Sequence, residues 1–172
     1  MAILDITLYP NPVLKEVATE IKEVDSEIKQ LLDDMAETMY DAPGIGLAAP
    51  QIGKSIRAIV VDVGVSEDGT GERVLYKLVN PKIIESSGTM LGEEGCLSIP
   101  DVREVVERAE TITVEALNEN GEKITIEATE LLAVCLQHEI DHLDGVLFID
   151  KLSRLKKELI RGKLKKLAKA NQ

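Results

Sequence analysis

The chain has 172 residues, of which 44% are hydrophobic, 30% are charged and only 2% are aromatic. This length suits a single domain, spanning residues 1–172, with a core filled mainly by aliphatic side chains. No apolar run reaches the ~18 residues of a membrane-spanning helix, and the start, "MAILDITLYP", lacks the basic segment of a signal peptide. We therefore expect no membrane contact and a cytoplasmic location. Two cysteines are too few for a disulfide framework.

The net charge of −11 is unevenly distributed along the chain. Residues 151–172 carry nine Lys/Arg and one Glu, whereas residues 1–150 carry eleven basic and thirty acidic residues. The basic tail is either a solvated helix face or a docking element for a polyanion such as RNA. Because the acidic body opposes loose nucleic-acid binding, we expect any such contact to be local to the tail, and we expect no DNA partner.

The first half of the chain predicts one helix, a loop and two strands. Apolar residues recur at helical spacing in "EVDSEIKQLLDDMAETMYDAPG", where Asp25 or Ser26 can cap the start and Pro43 and Gly44 stop the helix. The next segment, "GIGLAAPQIG", is too rich in Gly and Pro for a helix. Two segments rich in β-branched residues follow, "IRAIVVDVG" and "VLYKLVNPKIIES", and the turn "SEDGTGE" separates them. Both are predicted strands, and the second bends at Asn80-Pro81.

The second half predicts a hairpin and two helices. "TITVEALNENGEKITIEAT" contains two alternating runs joined across Asn120-Gly121. "ELLAVCLQHEIDHLDG" is a buried helix, with Thr129 as its N-cap and Gly145 as its stop. Residues 152–170 are predicted to form a basic amphipathic helix, in which Gly162 lowers the local helix propensity. The predicted fold class is therefore α+β: antiparallel β-strands packed around a buried central helix that carries HExxH, with a C-terminal amphipathic helix.

The two histidines of the chain, His138 and His142, stand four residues apart on the predicted central helix. This spacing places both rings on one face, ~6 Å apart in rise, so that they can share one metal ion. Glu139 lies beside the pair and can act as general base on a water that the ion activates. The alternative is a pair of core histidines that hydrogen bond within the protein.

A catalytic metal site requires a third protein ligand and one open position. The position that carries a third histidine in metzincins is Phe148 here, and Glu158 lies on the basic tail, where it is a poor ligand. Cys135 is ~10 Å of helical rise from His142, which suits the core or a pocket wall better than the same ion. By elimination Cys96, among glycine and turn residues, is the third ligand of a Cys/His/His site.

Three segments of the chain together resemble the peptide deformylase family. They are "GIGLAAPQ" (44–51), "EGCLSIP" (94–100) and "QHEIDHLDG" (137–145), and the resemblance extends over essentially the whole chain. The C-terminal helix resembles the bacterial type of the family. The resemblance implies that the protein removes the N-formyl group from the initiator methionine of newly synthesised polypeptides and releases formate.

The resemblance also implies the roles of individual residues. Cys96, His138 and His142 would bind one divalent metal ion, which is typically ferrous iron in this family, although zinc, nickel or cobalt can occupy the site. Glu139 would be catalytic, and Gln51 and the Leu97 backbone N–H would stabilise the oxyanion. The expected partners are nascent N-formylated polypeptides and, through the basic helix, the ribosome.

Substrate contacts are expected on both sides of the metal. Gly44 and Gly46 permit a close approach of backbone, so a peptide can lie alongside "GIGL" as an added strand. By resemblance, a pocket for the methionine side chain is lined by Ile45, Leu131, Val134 and Cys135. Leu131 has an alternative role in the helix core.

Five charged residues are also candidates for positions close to the site. Glu94 and Arg103 are candidate substrate-binding residues, and Glu94 can pair with Arg108 or Arg103. Asp141 or Asp144 can orient an imidazole, or both can be solvated carboxylates.

Two other functions remain open at this point. An HExxH endopeptidase predicts a third ligand from downstream of the helix and no role for Cys96. A binding module with a structural metal predicts a fourth protein ligand in place of water.

Overall fold

Three α-helices and seven strands follow one another in the computed structural model, which describes residues 2–64 and 73–170. The helices are α1 (Ser26–Asp41), α2 (Glu130–Leu143) and α3 (Arg154–Ala170). The strands are β1 (Gly46–Ala48), β2 (Ala58–Val61), β3 (Tyr76–Ser87), β4 (Met90–Cys96), β5 (Ile99–Arg108), β6 (Thr111–Leu117) and β7 (Lys123–Thr129). Within the described ranges, all strand pairs are antiparallel, in a five-stranded sheet of order β1-β2-β3-β6-β7 and a separate β4-β5 hairpin. The predicted α+β class, with antiparallel sheets and a C-terminal helix, is confirmed.

The five-stranded sheet is covered on both faces in the region of β2. Side chains alternate between the two faces of a strand, so Ile59 and Val61 pack in one apolar cluster with α2, whereas Ala58 and Val60 pack in another with α1. All four residues are fully buried, which explains why this segment reads as an uninterrupted apolar run.

Helix α1 forms where the sequence predicts it. The Asp25 side chain accepts a hydrogen bond from the backbone N–H of Ile28, and the helix ends at Asp41, before Pro43. The segment after it is not irregular throughout, because β1 occupies Gly46–Ala48 and a short 3-10 helix follows at Ala49–Ile52. The predicted turn "SEDGTGE" lies outside the described residues.

Two bends predicted from turn residues are present in the sheet. The pairing of β3 with β6 shifts register between Val79 and Lys82, and Asn80 adopts a left-handed φ of 50° there. In the β6-β7 hairpin, Gly121 has a φ of 78°, a conformation that glycine adopts without steric cost.

The β4-β5 hairpin was not predicted, although Cys96 does lie between a glycine, Gly95, and the turn residues Leu97 and Ser98. Cys96 is the last residue of β4. The segment contains Gly92 and Gly95 beside charged residues, a composition typical of loops. It forms strands because one face of the hairpin is covered: Val102 and Val106 of β5 pack against the segment that follows α2 and against α3.

The last two helices agree with the predicted bounds. Thr129 occupies the N-cap position of α2 in an extended conformation but makes no side-chain capping bond. Gly145 ends the α2 region with a φ of 74°, and a Cβ there would collide with the Lys15 backbone oxygen. Helix α3 continues through Gly162. Among residues 2–64 and 73–170, no helix is both long and apolar enough to cross a bilayer.

Candidate active site

The end of β4 and the middle of α2 bring three metal-ligating side chains together. One ligand atom from each of Cys96, His138 and His142 lies within 4.8 Å of the other two. Cys96 Sγ is 3.3 Å from His142 Nε2. Both imidazoles are buried, and their rings meet edge to face with centroids 5.0 Å apart.

These donors fit a metal ion. Ligands bound to one tetrahedral ion at about 2.0–2.3 Å lie roughly 3–4 Å from one another, close to the observed separations. Thiolate and imidazole are also ligands that soft and borderline divalent metals prefer. Burial is the main cause that lowers the pKa of His142 well below its usual value, which favours the neutral imidazole that binds metals.

The orientation of His138 is set by Glu94. His138 Nδ1 lies 2.9 Å from Glu94 Oε1, which leaves Nε2 as the ring atom that can face Cys96. Arg108 donates from Nε and Nη2 to the same carboxylate, at 2.9 and 2.8 Å. Burial would raise the pKa of Glu94, but the hydrogen bonds from Arg108 and His138 outweigh it and lower the pKa to about 2. Glu94 is therefore an ionised, buried partner of a metal-site imidazole.

Neither Asp141 nor Asp144 orients an imidazole in the structure, because each pairs with an arginine. Asp141 pairs with the Arg108 guanidinium, and Asp144 pairs with Arg57 at 2.9 Å. The imidazole partner is Glu94, which the sequence suggested as a substrate-binding residue and as the partner of an arginine. A contact between residues 44 positions apart leaves no spacing pattern in the sequence.

Glu139 projects into the same buried space. It is 4% exposed, and its Oε1 has no hydrogen-bond partner among the described residues. Burial is the main cause that raises its pKa to about 7, against the attraction of His138 and Arg108. A carboxylate with a pKa close to neutrality can both accept and return a proton. The adjacent backbone must be glycine, because a Cβ on Gly46 would collide with the Glu139 carboxylate.

Gln51 lies at the other side of Cys96 and is held in one orientation. Its Oε1 accepts the Ala48 backbone N–H at 2.9 Å, so its amide nitrogen faces Ser98 Oγ at 3.1 Å and Cys96 Sγ at 3.5 Å. Leu97 follows Cys96 in the turn between β4 and β5 and lines the adjoining cavity. Ser98, fully buried, is a site residue that sequence reasoning missed, although it belongs to the segment "EGCLSIP".

A cavity of about 620 Å³ opens beside these groups, and all eight of the predicted substrate residues line it. Val134 and Cys135 are buried in its wall, and burial raises the pKa of the Cys135 thiol, whose Sγ is 3.5 Å from the Ile45 backbone oxygen. Ile45 and Leu131 are 44% and 46% exposed, so Leu131 belongs to the cavity wall and not to the helix core. The other predicted residues that line the cavity are Gly44, Gly46, Glu94 and Arg103.

The remaining candidate residues lie away from the metal-ligating group. Arg103 forms an exposed ion pair with Glu93 at 2.7 Å near the mouth of the cavity, so the arginine that pairs with Glu94 is Arg108. Glu158 is exposed on α3 and lies 3.6 Å from Arg161. It does not contribute to the group of three ligands.

The α+β fold, three convergent soft donors and a buried glutamate beside them define the class of the metal-dependent hydrolases. The comparisons with known proteins narrow this class. Residues 3–158 match the family described as polypeptide deformylase. The chain therefore belongs to the polypeptide deformylase family.

Individual relatives cover nearly the whole chain. The peptide deformylase of Alkalilimnicola ehrlichii is 53% identical over 98% of this chain and 93% of its own length. That of Thermodesulfovibrio yellowstonii is 53% identical over 96% of this chain and 98% of its own. The crystal structure of the Ehrlichia chaffeensis peptide deformylase in complex with actinonin has a TM-score of 0.89 at 39% identity, and the match covers 96% of this chain and 98% of that one.

Proposed function

We propose that the chain, as a peptide deformylase, removes the N-formyl group of formyl-methionine at a metal ion held by Cys96, His138 and His142. The observation that carries the proposal is the convergence of these three side chains within 4.8 Å of one another, beside the buried carboxylate of Glu139. The substrates are the formylated amino termini of newly synthesised polypeptides, and the products are formate and a free amine. In this proposal α2 is the central HExxH helix of one domain, residues 1–172.

A divalent ion in this site would polarise the formyl oxygen and lower the pKa of the attacking water. Glu139 accepts the proton of that water and returns it to the leaving nitrogen. The amide nitrogen of Gln51, together with the backbone N–H of Leu97, donates hydrogen bonds to the oxygen that becomes negative in the tetrahedral intermediate. Losing one such donor typically lowers the rate by about 10²–10³-fold.

The peptide would bind along β1. This strand is the first in the five-stranded sheet and pairs with β2, so its other edge remains available for an added strand in the described part of the sheet. Main-chain hydrogen bonds along Gly44 and Gly46 do not depend on side chains, which suits an enzyme that must accept many polypeptides. The methionine side chain would enter the cavity and pack against the wall formed by Ile45, Leu131, Val134 and Cys135. Glu94 and Arg103 would complete the walls on the hairpin side.

Release of formate tests the activity. Protein purified without oxygen is incubated with a formyl-Met peptide and, separately, with its acetyl-Met analogue, and formate and metal are measured on the same sample. We expect formate from the first peptide alone, and we expect actinonin to inhibit its release. Cleavage of an internal peptide bond without formate would instead favour an HExxH endopeptidase.

The metal is tested through its sulfur ligand. We propose ferrous iron as the ion in the cell, with zinc, nickel or cobalt able to replace it, because such a donor set accepts several divalent metals. Cys96→Ala is expected to lose bound metal and activity together. A variant that retains one equivalent of metal and full turnover would remove Cys96 from the ligand set.

The ribosome is the proposed partner of α3, and the cytoplasm is the proposed location because newly made polypeptides emerge there. Support comes from the exposed lysines of α3, which include Lys157, Lys163, Lys165 and Lys166. Because Ile160 is buried against the body, neutralising these lysines tests the proposal better than deleting the helix. The Lys→Gln variant should hydrolyse small formyl peptides normally but sediment less with ribosomes. Unchanged sedimentation would mean that these lysines form only a solvated face of α3 and do not bind the ribosome.

A further inference from the structure

The ligands of the proposed metal site lie on two elements that no strand pairing connects. Cys96 ends β4 in the separate hairpin, whereas His138 and His142 lie on α2. The distance between the sulfur and the two imidazoles therefore depends on how the hairpin is fixed to α2. Apolar packing alone fixes such a distance loosely, whereas directional hydrogen bonds fix it closely.

Gln137, which precedes His138, makes such hydrogen bonds. Its Oε1 accepts the backbone N–H of Ala109 at 2.9 Å, and its Nε2 donates to the Ala109 oxygen at 2.9 Å and to the Ala133 oxygen at 3.0 Å. The side chain thus pairs with both backbone groups of Ala109 in the manner of a neighbouring strand. With 9% of its surface exposed, the amide has little access to water as a substitute partner.

Ala109 directly follows the last residue of β5, Arg108. The Arg108 guanidinium binds Glu94 of β4 and Asp141 of α2. The open end of the hairpin, opposite the turn that holds Cys96, is therefore attached to α2 at Gln137 and at Asp141, four residues and about one helical turn apart. From this end Arg108 also holds Glu94, which stands two residues before Cys96 in β4 and whose Oε1 lies 2.9 Å from His138 Nδ1.

We infer that Gln137 is a positioning residue: its amide holds the end of β5, and with it Arg108, against α2, and Arg108 in turn holds Glu94 beside Cys96 and His138, so that the geometry of the three ligands depends on Gln137. This inference rests on the proposed function of the site. In this inference, the glutamine next to the HExxH pattern controls the geometry of the metal ligands and does not merely stabilise the helix.

The experiment compares two isosteric substitutions. Gln137→Glu replaces the amide nitrogen by oxygen and removes both donated hydrogen bonds. Asn80→Asp is the matched control, because Asn80 pairs in the same way with the backbone N–H and oxygen of Ile21, at 2.9 and 2.8 Å, away from the site. Each metal-free protein is titrated with Co²⁺ alone, and the thiolate-to-cobalt charge-transfer band, the Co²⁺ affinity and the melting temperature are recorded.

We expect Gln137→Glu to bind Co²⁺ about 10–100-fold more weakly, with an altered charge-transfer band, as found when residues behind metal ligands are changed. With saturating Co²⁺, kcat should fall while KM changes by less than about threefold, because the lost interaction acts on the reacting groups. Asn80→Asp should melt at a lower temperature but retain the wild-type Co²⁺ affinity and spectrum.

The inference is overturned if Gln137→Glu binds Co²⁺ with the wild-type affinity and spectrum, even when its melting temperature falls. Gln137→Met, which has no charge, provides the same comparison if the Glu variant does not fold. Failure of both variants to fold, while Asn80→Asp folds, would make Gln137 a general stability residue and would also overturn the inference. A wild-type protein that shows no charge-transfer band would refute the proposed metal site itself.

Discussion

Helices α2 and α3 are similar in length but differ in nearly every physical respect. Ten of the 14 residues of α2 are buried, whereas Ile160 is the one buried residue among the 17 of α3. Helix α2 packs against the five-stranded sheet and makes polar contacts with the β4-β5 hairpin through Glu94 and Arg108, whereas α3 contacts the body along a single stripe. Burial gives α2 side chains unusual pKa values and fixed partners, whereas the charges of α3 remain solvated.

This contrast has a consequence for how each helix tolerates change. A buried polar group must find a partner or bind a ligand, because its desolvation is otherwise uncompensated. In α2 the buried atoms without a hydrogen-bond partner among the described residues are Glu139 Oε1 and His142 Nδ1, both at the active site. Substitutions in α2 should therefore alter chemistry and stability strongly, and equivalent substitutions in α3 should alter both weakly.

The largest expected effect is on catalysis. Glu139→Gln removes the general base without changing the size of the side chain, and we expect kcat to fall by about 10²–10⁴-fold. Metal content should remain at the wild-type level, because the three ligands are intact. The matched substitution on α3, Glu158→Gln, should leave kcat unchanged. A loss of only a few fold in Glu139→Gln would remove the proposed role of Glu139.

The next effect concerns the backbone that faces Glu139. In Gly46→Ala, the new methyl group would collide with the Glu139 carboxylate and approach Cys135 Sγ within 2.8 Å. We expect kcat/KM to fall by about 10²-fold, as small displacements of reacting groups typically cause. Gly92→Ala is the control, since a Cβ at that position meets no atom within 4 Å. Equal activity of the two variants would contradict the close approach.

Substituting one leucine in each helix compares how much the two helices contribute to the stability of the fold. Leu136 of α2 is fully buried, whereas Leu159 of α3 is 73% exposed. We expect Leu136→Ala to lower the free energy of unfolding by about 2–5 kcal/mol and Leu159→Ala to change it by less than about 0.5 kcal/mol. Urea denaturation measures both values. Similar losses would mean that α3 is buried in solution, for example against another molecule.

The smallest expected effect depends on pH. The pKa of Glu94 falls from 4.5 to about 2, so its ionised form stabilises the fold above pH ~4.5, and this contribution is lost as the pH falls toward 2. In metal-free protein with chelator present, the stability difference between wild type and Glu94→Gln should shrink between pH 6 and pH 3. A difference that is constant with pH would contradict the buried ion pair. Glu158→Gln, in an exposed pair, should show no such dependence.

Several parts of the fold could be predicted from local sequence because their signals are local. The cap at Asp25, the stop before Pro43 and the glycine at 121 act within a few residues, and the structure contains all three features. The β4-β5 hairpin could not be predicted in this way. Its glycines and acidic residues resemble a loop, and it forms strands because its apolar face is covered by distant segments.

The candidate site also has features that local sequence predicts and features that depend on contacts between distant segments. The sequence by itself determined that His138 and His142 share a helix face and that Glu139 stands beside them, because a spacing of four residues and the helical period are sufficient for that conclusion. Tertiary structure alone decided that Cys96 comes within 3.3 Å of His142, that Glu94 orients His138 and that Ser98 holds Gln51. These contacts join separate elements, and the packing of the hairpin against α2 brings their atoms together. No periodic pattern along the chain encodes a distance between atoms that belong to different elements.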